Sequence, residues 1–407
     1  MKLQINQIPS FNYTKKIDNL IDSIKLISKE LQSVKAVPSA VRLRKVSKIR
    51  SVNSTLAIEG NGLSYLDVRD TINGKTVEGP FDEVLEVKNA SKAYDEIASV
   101  DVFSQDDFLR IEGIMMWALV EKNGFRTDSV CIAEGDRISY VAPPADEVPE
   151  MMGRLFSWCR ESGYPMPVVA SVFHFYIESI HPFRDGNGRM GRYWHAAMLS
   201  RSDRVFRMVS LESAVRKNRS RYYDVLEECQ KDMDCTPFVE FMLELTLGSL
   251  EELRLLLDPR ISAMLKRMGD APMKASEIMR KMGLSDRNNF RRLYLDPALK
   301  CGLAEMTEPD KPRSRNQMYR RAFRYRMPAD HIIFTVFAGT PAATALLSTF
   351  FVTTAPAAIM APSPISIPGS RVAWSPIQTF LPMRTGPKVI DPLSSGSGKW
   401  LMVAMDT

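Results

Sequence analysis

Cysteine is scarce in this 407-residue chain, and its spacing suggests no pairing. The five residues Cys131, Cys159, Cys229, Cys235 and Cys301 contain no CxxC spacing, and their odd number argues against a disulfide framework. A reducing cytoplasm is the expected compartment. Histidine is scarcer still: His174, His181, His195 and His331 have no ligand-spaced partners, so none of His174, His195 and His331 is assigned to a metal. Met1-Lys2-Leu3-Gln4-Ile5-Asn6 is too polar for a signal h-region, and no export is expected. Charge is missing altogether from Ile332 to Ser370. Ile332 to Ala355 is long enough for a bilayer, but Gly339, Pro341 and many hydroxyls count against a span, so no membrane partner is expected. Thr, Ala, Ser and Pro dominate the stretch, and 328–407 reads as a low-complexity, disordered tail without an assigned function.

The rest of the chain is globular in composition, with 45% hydrophobic and 25% charged residues, and its length allows two or three domains. The net charge of +6 is unevenly placed. Between Asp270 and Met327 there are 14 lysines and arginines against 7 acidic residues, an excess that marks a separate basic module.

Most of the chain has helical periodicity. Ile17, Leu20, Ile21, Ile24 and Ile27 recur at helical spacing, and Pro38 is expected to close that helix. Arg42, Arg44, Lys45, Lys48 and Arg50 then read as a solvated helix face rather than a nucleic-acid site. Asn53 to Asn61 reads as a short helix ended by Gly60. Helical pattern continues through Leu63–Ser99, with Val84, Val87, Ala90 and Tyr94 as core, and through Asp106–Val120 with Ile111, Ile114, Met115 and Leu119. The period then changes. Val130-Cys131-Ile132 and Ile138-Ser139-Tyr140-Val141 flank turn residues Glu134-Gly135-Asp136-Arg137, and Pro143-Pro144 ends the run, a β-hairpin signal in a helical protein.

The richest chemistry lies in twelve residues, His181-Pro182-Phe183-Arg184-Asp185-Gly186-Asn187-Gly188-Arg189-Met190-Gly191-Arg192. Pro167–Ile180 before them and Met190–Ser200 after them are helical, so they form a helix-loop-helix joint. Gly186 and Gly188 allow backbone conformations that turn successive N–H groups inward, an anion nest at a helix start that suits a diphosphate. Asp185 offers the hard oxygen that Mg²⁺ prefers. Arg189 and Arg192, three apart, present forked donors from one helix face. His181 has an unperturbed pKa near neutrality, as a general base needs. His174, two turns earlier, reads as a hydrogen-bonded core histidine.

The pattern His-Pro-Phe-x-Asp-Gly-Asn-Gly-Arg-x-x-Arg resembles the Fic family signature without a mismatch. The resemblance implies transfer of AMP from ATP to a Ser, Thr or Tyr hydroxyl of a target protein, and to the enzyme itself, with loss of pyrophosphate. It implies His181 as base, Asp185 as Mg²⁺ ligand, Gly186 to Gly188 as the phosphate nest, Asn187 as an α-phosphate contact, and Arg189 and Arg192 on the outer phosphates. Thr55 to Gly60 is similar to the family's inhibitory helix, Ser/Thr-x-x-x-Glu-Gly/Asn. Glu59 would then pair with Arg192 and block the seat of the γ-phosphate. The hairpin matches the family's flap, so Val130, Ile132, Tyr140 and Val141 would dock a target segment as an added strand. Tyr222, first of a Tyr-Tyr pair, matches a nucleotide contact, while Gln230 stands where relatives often carry Asn.

The expected fold is therefore mainly α. An N-terminal helical segment with the inhibitory motif (1–98) precedes a Fic core with its hairpin flap (99–258). In the basic module, Met273–Met282, a turn at Gly283-Leu284-Ser285, Asp286–Leu295 with Arg287, Arg291 and Arg292, and a ribbon to Tyr319 resemble the winged helix (259–327) often attached to Fic cores. Asn288 and Arg291 are its candidates for meeting bases in DNA, although such modules also dock proteins and form homo-oligomers. Two rival readings remain: transfer of another phosphate-borne group at the same site, and a DNA-bound regulator in which the Fic core senses a nucleotide.

Overall fold

The computed structural model describes residues 9–32, 37–134, 137–268, 271–322 and 400–404, without the side chains of 37–40, 42, 131–139 and 400–404. It divides into two units, Met1–Gly339 with Lys399–Thr407, and Thr340–Gly398; every described residue belongs to the first. His331 and the uncharged stretch 332–370 lie outside the described residues.

The described chain is mostly helical, in the order α1 (Lys15–Gln32), α2 (Val37–Ile58), α3 (Tyr65–Ile72), α4 (Phe81–Asp95), α5 (Gln105–Met115), β1 (Val130–Glu134), β2 (Arg137–Val141), α6 (Val148–Glu161), α7 (Met166–Ile180) and α8 (Asn187–Ser202). There follow α9 (Leu211–Lys217), α10 (Arg219–Asp232), α11 (Thr236–Leu257), α12 (Pro259–Met268), α13 (Ala275–Met282), α14 (Arg287–Phe290), a π turn (Arg291–Leu295) and α15 (Asp296–Lys300). Strands β3 (Ala304–Met306), β4 (Tyr319–Arg321) and β5 (Trp400–Ala404) complete it.

α7 is the axis of the larger core. Every residue from Val168 to Ile180 is buried, most of them apolar, as in a helix packed on all sides. Against it lie α8, α6 and α11. Trp194 on α8 is fully buried, edge-on to Phe108 at 5.0 Å, and its indole N–H donates to the Val102 carbonyl at 3.1 Å. The isoleucines at 17, 21, 24 and 27 bury the face of α1 that meets α11. In α4, Val87, Ala90 and Tyr94 are buried as the periodicity requires, while Val84 is only half-buried.

Three local expectations change. Pro38 opens α2 rather than closing α1, because a missing N–H costs nothing in a first turn. The stretch Thr55–Ile58 is not a short helix but the end of the 22-residue α2, with Gly60 just past it at φ +99°. α5 stops at Met115, before the left-handed Ala118. The cationic face of α2 is partly ion-paired, Lys48 with Asp95 and Arg50 with Glu252, both at 2.7 Å, while Arg44 and Lys45 stay exposed.

A second core gathers Ile261, Leu265, Ile278, Phe290, Leu295 and Tyr319 from α12 to β4. β3 and β4 pair antiparallel, and Met273 bridges to Tyr319. The second helix of this module runs on past Leu295 to Lys300 through the π turn ahead of Pro297, whose missing N–H cannot close an α turn. Among the described residues no helix is long and apolar enough to cross a membrane.

Glu112 of α5 is buried and accepts the Gly124 N–H at 3.1 Å, pinning the loop that leads to the hairpin. Burial pushes its carboxyl up to about 7, against the pull of that N–H. A raised carboxyl pKa stabilises the fold below the unfolded value, and that contribution is lost as pH rises through about 7. Glu112→Gln should therefore gain stability relative to the native chain between about pH 5 and 7, read as the difference in urea midpoints across that range.

Candidate active site

The joint between α7 and α8 holds the motif. α7 ends at Ile180, and His181 takes the left-handed conformation, φ 53° and ψ 59°, with its N–H donating to the Ile177 carbonyl at 2.9 Å. A non-glycine residue is seldom found there, and the turn is held by its surroundings. Arg126, from the loop before β1, is the main clamp. Its guanidinium donates to the carbonyls of His181 at 2.8 Å, Asp128 at 2.8 Å, Pro143 at 2.5 Å and Ile180 at 3.3 Å, and its own N–H donates to the Pro182 carbonyl at 2.9 Å. One buried arginine thus ties the end of α7 to both ends of the hairpin. Asn187 fixes the far side of the loop by exchanging two hydrogen bonds of 2.8 Å with the Phe183 backbone. The Phe183 ring is stacked on Phe108 and Phe125.

His181 is 9% exposed, and its Nε2 has no partner among the described residues. Burial lowers its pKa, opposed by the charge of Glu178. It is therefore neutral near pH 7, with Nε2 free to accept a proton.

Gly186 precedes α8 at φ +84°, where a Cβ would lie 2.5 Å from the Met116 sulfur. No side chain caps α8, so the N–H groups of its first turn keep the partial positive charge that attracts an anion. At Gly188 a Cβ would lie 2.8 Å from Glu59 Oε1 and 2.9 Å from Arg192 Nη1. A carboxylate of this chain therefore lies at the head of α8.

Glu59 accepts from Arg192 Nη2 at 2.5 Å, while Arg192 Nε donates to Thr55 Oγ1 at 2.9 Å. Burial opposes the charge on Arg192, but Glu59 in front, with Tyr222, Tyr223 and Glu178, outweighs it and raises the pKa. Arg189 is held by two carboxylates, Glu86 of α4 and Asp185, each at 2.9 Å. Asn61, just beyond α2, donates to Glu86 at 2.8 Å, which joins the two pairs into one latch. Asp185 itself is exposed, and its other carboxylate oxygen accepts the Gly186 N–H at 2.5 Å.

Behind Arg192 lies a buried polar network. The Tyr222 hydroxyl meets His174 Nε2 at 3.0 Å and donates to Glu178 at 3.2 Å, and His174 Nδ1 lies 3.4 Å from His195 Nδ1. Burial and then Arg192 lower His174 to about 3, so it is a neutral core histidine as its spacing suggested. Tyr222, for which the motif position suggests a nucleotide contact, is 1% exposed here. Gln230 is buried and donates to Ser179 at 3.3 Å.

The hairpin forms as expected, with Cys131 opposite Val141, Ile132 opposite Tyr140 and a register shift after Ile132. Tyr140 donates to the Ser179 carbonyl at 2.9 Å and anchors the hairpin beside His181. Val130 is buried and Val141 exposed; the side chain of Ile132 lies outside the described residues. The free edge of β1 pairs antiparallel with β5, Val130 opposite Ala404 and Glu134 opposite Trp400. The tail expected to be without structure thus contributes at least this strand.

Sequence and structure comparisons agree on the family. The chain is 34% identical to a Fic family protein from Desulfovibrio desulfuricans G20, whose crystal structure it matches over 77% of its own length and 98% of that chain, with a TM-score of 0.59. The chain belongs to the Fic family. The Fic/DOC family profile matches residues 102–199, and the profile of the Filamentation induced by cAMP protein Fic-like, C-terminal domain, matches 259–322. Proteins named protein adenylyltransferase Fic from Culex quinquefasciatus and Aedes aegypti are each 26% identical, over 54% and 52% of this chain and 45% and 42% of theirs. The chain spans about half the length of these curated relatives.

Arg126 and Glu178 of this Fic core, and Glu86 of α4 before it, were not singled out from sequence. Glu86 lies 103 residues from Arg189, and an unremarkable helix carries it, so no local signal marks it. Arg126→Met should leave four carbonyls without their shared donor. Faster amide exchange at 180–183, with α6 and α11 protected as before, is the expected result in a hydrogen-exchange comparison.

Proposed function

We propose that this Fic protein is an adenylyltransferase that moves AMP from ATP to a protein hydroxyl, held off by Glu59. The observation that carries the reading is the carboxylate of Glu59 on Arg192 and over Gly188, the position a terminal phosphate oxygen would take. A carboxylate and a phosphate compete there for the same guanidinium and the same helix start. The relatives named protein adenylyltransferase Fic support the chemistry.

The residues divide the work simply. The first turn of α8, with Arg189 and Arg192, would bind and orient the diphosphate of ATP. Asp185 would hold Mg²⁺, which supplies charge neutralisation on the phosphates when bound. His181 Nε2 accepts the proton of the target's Ser, Thr or Tyr hydroxyl as that oxygen attacks the α-phosphorus. The bond from this phosphorus to the bridging oxygen breaks, and pyrophosphate leaves. Positioning and charge neutralisation carry most of such a reaction. The hairpin would align the target as an added strand, and the pairing of β5 with β1 supports the capacity of that edge to accept one.

Inhibition in this reading has two parts. Glu59 holds Arg192, and Glu86 holds Arg189. Incorporation of label from α-³²P-ATP into the protein should rise in Glu59→Gly, rise further in Glu59→Gly with Glu86→Gln, and vanish when His181→Ala is added, while that last variant still binds ATP. Label retained without His181 would sink the assignment of the base. Because burial lowers the pKa of His181, the acid limb of labelling by Glu59→Gly should fall below the ordinary imidazole value near 6.5, with the rate lost only as pH drops past that limb.

A further inference from the structure

The C-terminal module has a groove of its own, a concavity of about 560 Å³ between the start of α13, the helix that begins at Arg287, and the segment joining β3 to β4. Lys274, Arg287, Arg291, Arg313 and Arg315 line it, and no carboxylate does. Arg291 is paired with Asp296 at 2.9 Å. Lys274, Arg287, Arg313 and Arg315 are exposed and have no ion-pair partner among the described residues. Gln317 is 7% exposed at the same groove; its Nε2 donates to the Met318 carbonyl at 2.6 Å, and its Oε1 is buried without a partner. Four unanswered cations around one hollow repel one another and raise a local potential that a polyanion discharges. Three of them are arginines, whose forks match phosphate oxygens.

The geometry points to the phosphate backbone of a B-form DNA duplex as the ligand of this groove. Arg287 and Arg291 of the helix and Arg313 and Arg315 of the segment joining β3 to β4 line the same hollow. Along the helix, Arg287, Asn288 and Arg292 are exposed, and the Asn288 side chain is unengaged among the described residues. The loop between β3 and β4 carries exposed Lys311, Arg313 and Arg315 beside it. A helix of this width enters a major groove while a flanking ribbon follows the backbone. The major groove of an RNA duplex is too narrow for that helix. An acidic peptide would need apolar anchors, and the apolar lining amounts to Ala275, Met279 and Pro312, with Tyr319 buried. This inference stands apart from the transfer chemistry and does not depend on it.

The test uses the full chain and a fluorescent 24-base-pair DNA duplex of mixed sequence, with anisotropy followed from 50 to 200 mM salt. With about four phosphate contacts, affinity should fall on the order of 100-fold over that range. Arg287→Gln with Arg313→Gln and Arg315→Gln should weaken binding and reduce the log–log salt slope by about three, with thermal unfolding unchanged because all three side chains are exposed. The variant with lysine at the same three positions should keep the slope. Equal affinity and slope in the glutamine variant, or binding to poly-glutamate or an RNA duplex of the same length as tight as to DNA, would overturn the proposal.

Discussion

A buried guanidinium must be answered by an anion, and in this protein the answer to Arg192 organises the site. The side chain is almost wholly enclosed, with Thr55 fixing one edge and Glu59 the other. Leaving such a charge unpaired costs several kcal/mol, and here the carboxylate of Glu59 answers it; under the proposed function a phosphate would take that place. The last turn of the 22-residue α2 carries Thr55, and Glu59 follows directly past its end, so both reach Arg192.

The network behind Arg192 is the complement of this ion pair. Glu178, whose carboxyl burial pushes up, faces Arg192 and His181, and Tyr222 links it to His174. Two neutral histidines and a tyrosine provide dipoles there without adding charge. Gly191 is part of the same packing, since a Cβ there would lie 2.8 Å from the His174 ring.

His181 is held from the opposite side. Arg126 gathers carbonyls from the end of α7 and from both approaches to the hairpin, and so makes the left-handed turn at His181 and the position of the flap one mechanical unit. Displacing the hairpin would disturb the histidine that it covers.

Much of this was legible in the sequence because it is local. The loop between two helices, the glycines at its turn and the spacing of Arg189 and Arg192 are all contained in twelve residues; hydrophobic period distinguishes α7 and the hairpin, and charge excess marks the basic module. Pro38 was misjudged because a proline closes one helix and opens another with the same chemistry, and only packing decides which. The burial of Tyr222 was not legible, because an aromatic in a motif carries no sign of its depth. What sequence alone determined is the set of groups and the backbone that presents them. Tertiary structure decided which charges meet: Glu86 with Arg189, Arg126 with the carbonyls around His181, and β5 with the edge of β1. These pairings join residues tens to hundreds of positions apart, and no local period or propensity encodes a contact that exists only once the helices have packed.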